Sequence, residues 1–121
     1  GQPVGAFQAL KHRAADHKVH LEVAHALTRH ATAAYAGRTS VQDKDQPAGK
    51  DWQTLAAQAR LLAADAYAAT AEDAVQMFGG VGFTWEYDCH LFLKRALASQ
   101  TITQNPDKIR DNIAANIFLK T

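Results

Sequence analysis

Between Ala6 and Ala36 the chain contains neither glycine nor proline, the two residues that most often interrupt a helix. Apolar residues recur in this stretch at spacings of three, four and seven, the period of one helix face. They are Phe7, Leu10, Ala14, Leu21, Ala24, Leu27 and Ala31. The pattern predicts one long helix that Gly37 ends.

A second long helix is predicted from Trp52 to Phe78, with Asp51 placed to cap it. Residues 38–50 before it are mostly polar and include a proline and a glycine, which predicts a solvated connection. The apolar stripe of this helix is rich in alanine and is interrupted by Asp73: Leu55, Ala59, Leu62, Ala66, Ala69 and Met77. Small residues there would allow a neighbouring helix to approach closely.

Two shorter helices are predicted after a stop at Gly79 and Gly80, where a C-terminal cap needs positive φ. Thr84 is a candidate N-cap for a third helix, from about residue 85 to 103. Asn105-Pro106-Asp107 resembles a restart, with a capping side chain, a proline and an acid, and predicts a fourth helix to about residue 119. The packing candidates are Leu91, Leu93, Leu97, Ile102, Ile109, Ile113 and Ile117.

The predicted fold is all-α, an antiparallel four-helix bundle that forms a single domain over residues 1–121. A chain of 121 residues can build one core without disulfides or metals. No stretch alternates apolar and polar residues over enough positions to predict strands.

Composition excludes several classes of partner. The chain is 47% hydrophobic and 21% charged with a net charge of +1, so neither nucleic acid nor an anionic membrane is an expected partner. No apolar run approaches the roughly 20 residues of a transmembrane helix. No secretory leader opens the chain, which predicts a cytoplasmic location. The first residue, Gly1, indicates a domain cut from a longer protein, a processed chain or an ordered part of one.

A metal site is not expected. Five of the six histidines fall on the first helix, and Glu22 with His25 has the spacing of half a di-iron site. The second helix offers no matching pair, so solvated or packing histidines are favoured. The single cysteine, Cys89, is interpreted as a half-buried helix residue.

The glycine turn, Gln76-Met77-Phe78-Gly79-Gly80-Val81-Gly82, carries the functional signal. Such a turn leaves backbone N–H groups accessible and lets a phosphate approach without meeting Cβ atoms. A glycine-type helix cap is the structural alternative, since roughly a third to a half of helices end in one.

The turn and its continuation closely resemble the C-terminal helical domain of acyl-CoA dehydrogenases. The resemblance rests on the block Gln76 to Tyr87, with the sequence QMFGGVGFTWEY, and on His90 to Ala96, with the sequence HLFLKRA. Gly1-Gln2-Pro3-Val4 with Phe7-Gln8 resembles the segment that opens the first long helix of that domain, just past an arginine that contacts the flavin.

The resemblance implies a helical bundle within a flavoprotein, usually a tetramer, that dehydrogenates acyl-CoA thioesters with FAD lying across a subunit interface. It further implies that Gln8, Gln76, Gly79 and Gly80 contact the FAD bound mainly by a neighbouring subunit. The protein is expected to be a homo- or hetero-oligomer, and this chain alone is expected to be inactive.

The family pattern breaks at the catalytic base, so no catalytic residue is assigned. The reaction requires a carboxylate to remove the proton α to the thioester carbonyl. Thr103 or Gln104, depending on the alignment, stands where many members have that glutamate, and Asn105-Pro106 replaces a flavin-binding Gly-Thr. Three explanations remain: a base placed earlier in the chain, a base-less subunit in a hetero-oligomer, or a different chemistry.

Two further interpretations concern function. The amino-acid sequence of the block most resembles a bacterial branch of the family in which hetero-oligomers occur, some acting on sterol side-chain thioesters. The alternative function, which is not enzymatic, is that of a helical-bundle interaction module that binds a partner protein and no cofactor.

Overall fold

The computed structural model describes residues 1, 3–37, 51–102 and 105–118, and this part of the chain is all-α, as predicted. It contains four α-helices and two short 3₁₀ segments and no strand. The α-helices are α1 (Gln8–Gly37), α2 (Asp51–Phe78), α3 (Cys89–Thr101) and α4 (Pro106–Phe118). The 3₁₀ segments are Val4–Ala6 and Gly79–Phe83.

Helices α1 and α2 form an antiparallel pair. At one end, the rings of Tyr35 and Trp52 meet edge to face with their centroids 5.0 Å apart. At the other end, Arg13 and His17 of α1 both bond to Asp73 of α2. The start of α1 therefore lies beside the end of α2, where the glycine turn follows.

Helix α2 is central, because α3 and α4 also pack against it. Arg60 donates from Nη2 to the carbonyl of Ser99 at 2.5 Å, which ties the middle of α2 to the end of α3. Asp65 accepts hydrogen bonds from Gln100 of α3 at 3.3 Å and from Arg110 of α4 at 3.4 Å. One carboxylate thus joins three helices.

Both α3 and α4 run opposite to α2. Ala96 packs on Ala68 and Ala71, while the later residue Ser99 meets the earlier residue Arg60. The start of α4 meets Asp65, and its later residues 112–116 share a groove with residues 53–57. Antiparallel contacts therefore relate α2 to each of its neighbours, and α4 continues in the direction of α3.

The core is made mainly of alanine, and it includes Ala59 and Ala66 of the predicted α2 stripe, whereas Ala69 of that stripe is exposed. The buried apolar residues are Ala24, Ala31, Ala59, Ala64, Ala66, Ala68, Ala71, Val75, Ala96 and Ile109. Alanine lets the helices approach closely, so larger side chains stand at the edges of the contact. The described helices also lack the combined length and apolarity that a bilayer crossing requires.

Several predicted packing residues lie outside this core. Ile102 is 77% exposed, and Leu62, Leu91 and Leu97 are also exposed. The prediction for these positions was wrong because the described helices meet mainly through alanines, which leaves these larger side chains outside the contact. Leu93 does pack against the core, as predicted.

The end of α2 and the start of α4 follow the predictions, whereas α2 already includes Asp51, the predicted cap, and the start of α3 differs. The Asn105 cap is confirmed, since its side-chain oxygen accepts the Asp107 N–H at 2.8 Å. Thr84 is not an N-cap: its hydroxyl donates to the carbonyl of Val81 at 2.8 Å and closes the 3₁₀ segment, so α3 begins later, at Cys89. The predicted connection 38–50 and the predicted end of the fourth helix lie outside the described residues.

Candidate functional site

The glycine turn ends α2 through Gly79, which has a φ of +64°. An L-residue with a side chain would be strained there, so glycine is required by the backbone alone. This confirms the prediction that α2 stops at Phe78 with a glycine cap. The chain then continues as the 3₁₀ segment Gly79–Phe83.

Gly82 is required for a different reason, because it is buried against the last turns of α2. A Cβ atom added there would lie 2.7 Å from the carbonyl oxygen of Val75 and 3.1 Å from the Cβ of Phe78. The first contact is with backbone and gives little room for adjustment. Glycine at this position lets the turn fold back onto its own helix.

Gly80 has neither constraint. Its φ is not positive, it is exposed, and a Cβ atom added there would have no neighbour within 4 Å. Neither the backbone conformation nor packing within the described part of this chain therefore requires glycine at this position. A backbone free of Cβ atoms on an exposed turn is suited to the close approach of another molecule.

The predicted contact residues Gln8 and Gln76 are both exposed near this turn. Gln8 lies in the first turn of α1, and its Nε2 is 3.1 Å from Nε2 of His12. It precedes Arg13 on α1, whereas Gln76 follows Asp73 on α2. Because Arg13 and Asp73 bond and the helices are antiparallel, Gln8 and Gln76 stand at the same end of the pair.

A charged cluster fixes this end of the helix pair. Asp73 accepts hydrogen bonds from Nε of Arg13 at 3.0 Å and, at its other oxygen, from Nη2 of the same residue. His17 Nε2 lies 2.5 Å from Asp73 Oδ2 and donates to it, because an ionised carboxylate only accepts. The side chains of His17 and Asp73 are 16% and 14% exposed, so the pair is largely shielded from water.

The cluster changes the acidity of Asp73. The hydrogen bond from His17, and then the hydrogen bond and charge of Arg13, lower the pKa of Asp73, although burial acts in the opposite direction. The carboxylate therefore stays ionised where an apolar stripe would otherwise continue. The single acid in that stripe was the sequence signal for this cluster, and its two partners on α1 were not predicted.

A second polar residue that the sequence did not single out is His90, which is 7% exposed. Its Nδ1 donates to the carbonyl of Tyr87 at 2.9 Å, and its ring meets Trp85 edge to face at 4.8 Å. Lys94 Nζ lies 5.3 Å from the centre of the Trp85 ring, which is a cation–π distance. These contacts hold the segment between the glycine turn and α3.

Other sequence predictions are placed as follows. Cys89 is half-buried, as predicted. Glu22 bonds to Lys18 at 2.6 Å, and that bond and charge lower the pKa of Glu22. The described residues contain no group of three or more side chains that could hold a metal ion. Thr103 and Gln104 lie outside the described residues.

Comparison with known proteins identifies the family. The family described as acyl-CoA dehydrogenase, C-terminal domain, matches residues 1–118, which include the whole turn and both glutamines. This chain belongs to the acyl-CoA dehydrogenase family. The resemblance predicted from the turn is thereby confirmed.

Individual family members agree with this assignment. The chain is 35% identical over 118 residues to the acyl-CoA dehydrogenase IpdE2 of Mycobacterium tuberculosis, covering 98% of this chain and 32% of that protein. It is 40% identical over 96 residues to the acyl-CoA dehydrogenase FadE34 of the same organism, covering 79% of this chain and 12% of that protein. The cyclohexane-1-carbonyl-CoA dehydrogenase of Geobacter metallireducens is 31% identical over 120 residues, covering 99% of this chain and 28% of that protein.

The chain spans about a third of the length of the curated relatives with which it aligns over nearly its whole length. It corresponds to the C-terminal domain of this acyl-CoA dehydrogenase family. No solved structure gives a significant match.

Proposed function

We propose that this chain contributes FAD contacts and an oligomer interface to an acyl-CoA dehydrogenase-type flavoprotein. The observation that carries the proposal is Gly80, a glycine that its own chain does not require, on an exposed turn of a domain from this family. FAD supplies the hydride acceptor for α,β-dehydrogenation of the thioester when it is bound.

The residues around the turn suit such a cofactor. Gln8 and Gln76 offer exposed amides that can donate and accept hydrogen bonds. Gly79 and Gly80 offer backbone without side chains that would hinder a phosphate or ribose. We assign these four residues to FAD held mainly by a neighbouring subunit.

An acyl-CoA thioester is the proposed substrate class. The names of the relatives support it, since each is an acyl-CoA dehydrogenase or is named for an acyl-CoA. A sterol side-chain thioester is our proposed form of that substrate. It rests on the likeness of Phe83 to Glu86 and of His90 to Arg95 to a branch of the family that includes such enzymes.

The base for α-proton removal is proposed to come from outside this chain. Neither Thr103 nor Gln104 has a side chain that could remove this proton at neutral pH. Asn105 and Pro106, which depart from the family pattern, form the cap of α4. This chain therefore acts as a supporting domain, combined with a base on another segment or on a partner subunit.

Large exposed side chains support the interface role. Phe83, Trp85, Ile102 and Phe118 are each more than two-thirds exposed. Water contact of so many large apolar groups is unfavourable, and their burial by another domain or subunit would be strongly stabilising.

The cofactor contact is tested by replacing Gln76 in the FAD-loaded assembly that contains this chain. Loss of one hydrogen bond in Gln76→Ala is expected to raise the dissociation constant of FAD by roughly 3- to 10-fold. Gln53→Ala is the matched control, because Gln53 is also an exposed glutamine of α2 but lies at its opposite end. Equal dissociation constants for the two variants would contradict the assignment of Gln76.

The missing base is tested by Thr103→Glu and Gln104→Glu, made separately in the same assembly. A large gain in turnover by one variant would show that the site is complete except for its base and would contradict a base elsewhere. No gain is the expected result.

The chain by itself is expected to show no dehydrogenase turnover.

A further inference from the structure

We infer that Asp73 is a positioning residue for cofactor binding, which joins the two helices that carry the proposed FAD contacts. This inference rests on the proposed function and extends it to a residue that does not itself need to touch FAD. The juxtaposition that carries it is the bond from Asp73 of α2 to Arg13 and His17 of α1, close to the turn.

The spacing along the helices makes the joint local to the site. Gln76 follows Asp73 by less than one turn, and Gln8 precedes Arg13 by less than two turns. The two glutamines lie on different helices, so their separation depends on how those helices are fixed to each other. In the described part of the chain, Asp73 of α2 is the residue whose side chain bonds to α1 at this end.

The cluster has the properties of a rigid joint. Arg13 uses two nitrogens on the two oxygens of Asp73, and His17 adds a third hydrogen bond. Bidentate charged pairs fix orientation as well as distance. The lowered pKa of Asp73 agrees with a carboxylate that stays ionised and bonded.

The surroundings of the cluster make the positions of the two helix ends depend more on its hydrogen bonds. A groove of about 330 Å³ between α1 and α2 is lined by apolar Leu21 and Met77 as well as by His17 and Asp73. Lys18 also lines this groove, and it pairs with Glu22 on its own helix. Without the charged joint, small alanines and this groove would leave the helix ends less firmly fixed.

The same chain offers a matched control in Asp65. It is also a carboxylate of α2 that bonds an arginine and one further side chain, but its partners are Gln100 and Arg110 on α3 and α4. Replacing Asp65 therefore removes similar chemistry from the same helix without loosening α1 from the turn.

The experiment measures FAD dissociation constants of the FAD-loaded assembly with Asp73→Asn, Asp73→Glu and Asp65→Asn. Asp73→Asn is expected to weaken FAD binding by about 5- to 30-fold, which corresponds to one or two kcal/mol. Asp73→Glu keeps the charge but lengthens the side chain by one methylene, so it should recover only part of the loss, while Asp65→Asn should stay within about 2-fold of the parent protein.

Three results would overturn the inference. They are an unchanged dissociation constant in Asp73→Asn, an equal loss in Asp65→Asn, or no recovery in Asp73→Glu. If Asp73→Asn does not fold, Arg13→Gln replaces it, since Arg13 is half exposed, and the same comparison holds. The Gln76→Ala variant separates the two proposals: if it binds FAD normally, the proposed function of the turn fails, whereas a loss there with normal Asp73→Asn contradicts only the positioning role.

Discussion

The contacts described at the two ends of the α1–α2 pair differ in their chemistry. At the turn end, Arg13 and His17 bond to Asp73 with fixed directions. At the far end, Tyr35 and Trp52 meet edge to face, with centroids 5.0 Å apart. Aromatic contacts tolerate small shifts, whereas a carboxylate with three hydrogen bonds does not.

This difference indicates where the molecule needs precision. The directional bonds lie beside the exposed glycine turn, and the more tolerant contact lies at the end away from it. Polar groups in an apolar stripe usually lower stability unless they are fully bonded. Their presence beside the turn agrees with a site whose geometry matters.

The largest expected effect on stability within the turn is that of Gly82→Ala. Its new methyl group would lie 2.7 Å from the Val75 carbonyl oxygen, so the turn must move or separate from α2. We expect a loss of about 1–3 kcal/mol in the free energy of unfolding, measured by urea denaturation. An unchanged value would show that the turn does not pack on α2 as described.

Asp73→Asn is expected to have the next largest effect, a loss of about 1–2 kcal/mol in the same measurement. The change leaves Arg13 and the largely shielded His17 without their anionic acceptor. Asp65→Asn should cost less than about 1 kcal/mol, because Asp65 and Arg110 are both half exposed. A larger loss from Asp65→Asn than from Asp73→Asn would reverse the comparison.

The Asp73 contribution should depend on pH. The pKa of Asp73 is lowered in the folded state, so the folded protein favours the ionised carboxylate more than the unfolded chain does. The contribution of Asp73 to the free energy of unfolding is therefore complete above the unfolded pKa of about 3.9. It is lost as the pH falls from there through the folded pKa. The stability difference between the parent protein and Asp73→Asn should therefore shrink as the pH falls below about 4. A difference that grows as the pH falls below about 4 would contradict the cluster.

A smaller effect than that of Asp73→Asn is expected at the aromatic end. Tyr35→Leu removes the edge-to-face contact with Trp52 and should lower the free energy of unfolding by about 0.5–1.5 kcal/mol. FAD affinity of the assembly should not change, because the turn end keeps its bonds. Loss of FAD in this variant would show that the two ends are not independent.

Much of the fold could be predicted from sequence, because helix period and capping chemistry are local properties. The end of α2 at Gly79 and the cap at Asn105 followed from single residues. The start of α3 did not, since Thr84 closes the turn that precedes it. Which apolar side chains are buried depends on helix packing, and the alanine contacts left Leu91 and Leu97 outside.

The site was predictable only in part. The turn could be found from its glycines, but their separate reasons depend on φ at Gly79 and on the contact of Gly82 with Val75. The bonds of Asp73 join residues that are 56 and 60 positions apart. A helical period gives no register between two helices, so this pairing required the folded arrangement.

The central claim is that the glycine turn contacts FAD, and Gly80→Ala in the FAD-loaded assembly tests it most directly. Gly37→Ala is the control, since that glycine also has no neighbour within 4 Å of an added Cβ but lies at the opposite end of the pair. Both variants should fold with the stability of the parent protein or slightly more. We predict that Gly80→Ala raises the FAD dissociation constant about 10-fold relative to Gly37→Ala, a difference of about 1.4 kcal/mol. Equal dissociation constants in the two variants would contradict the claim.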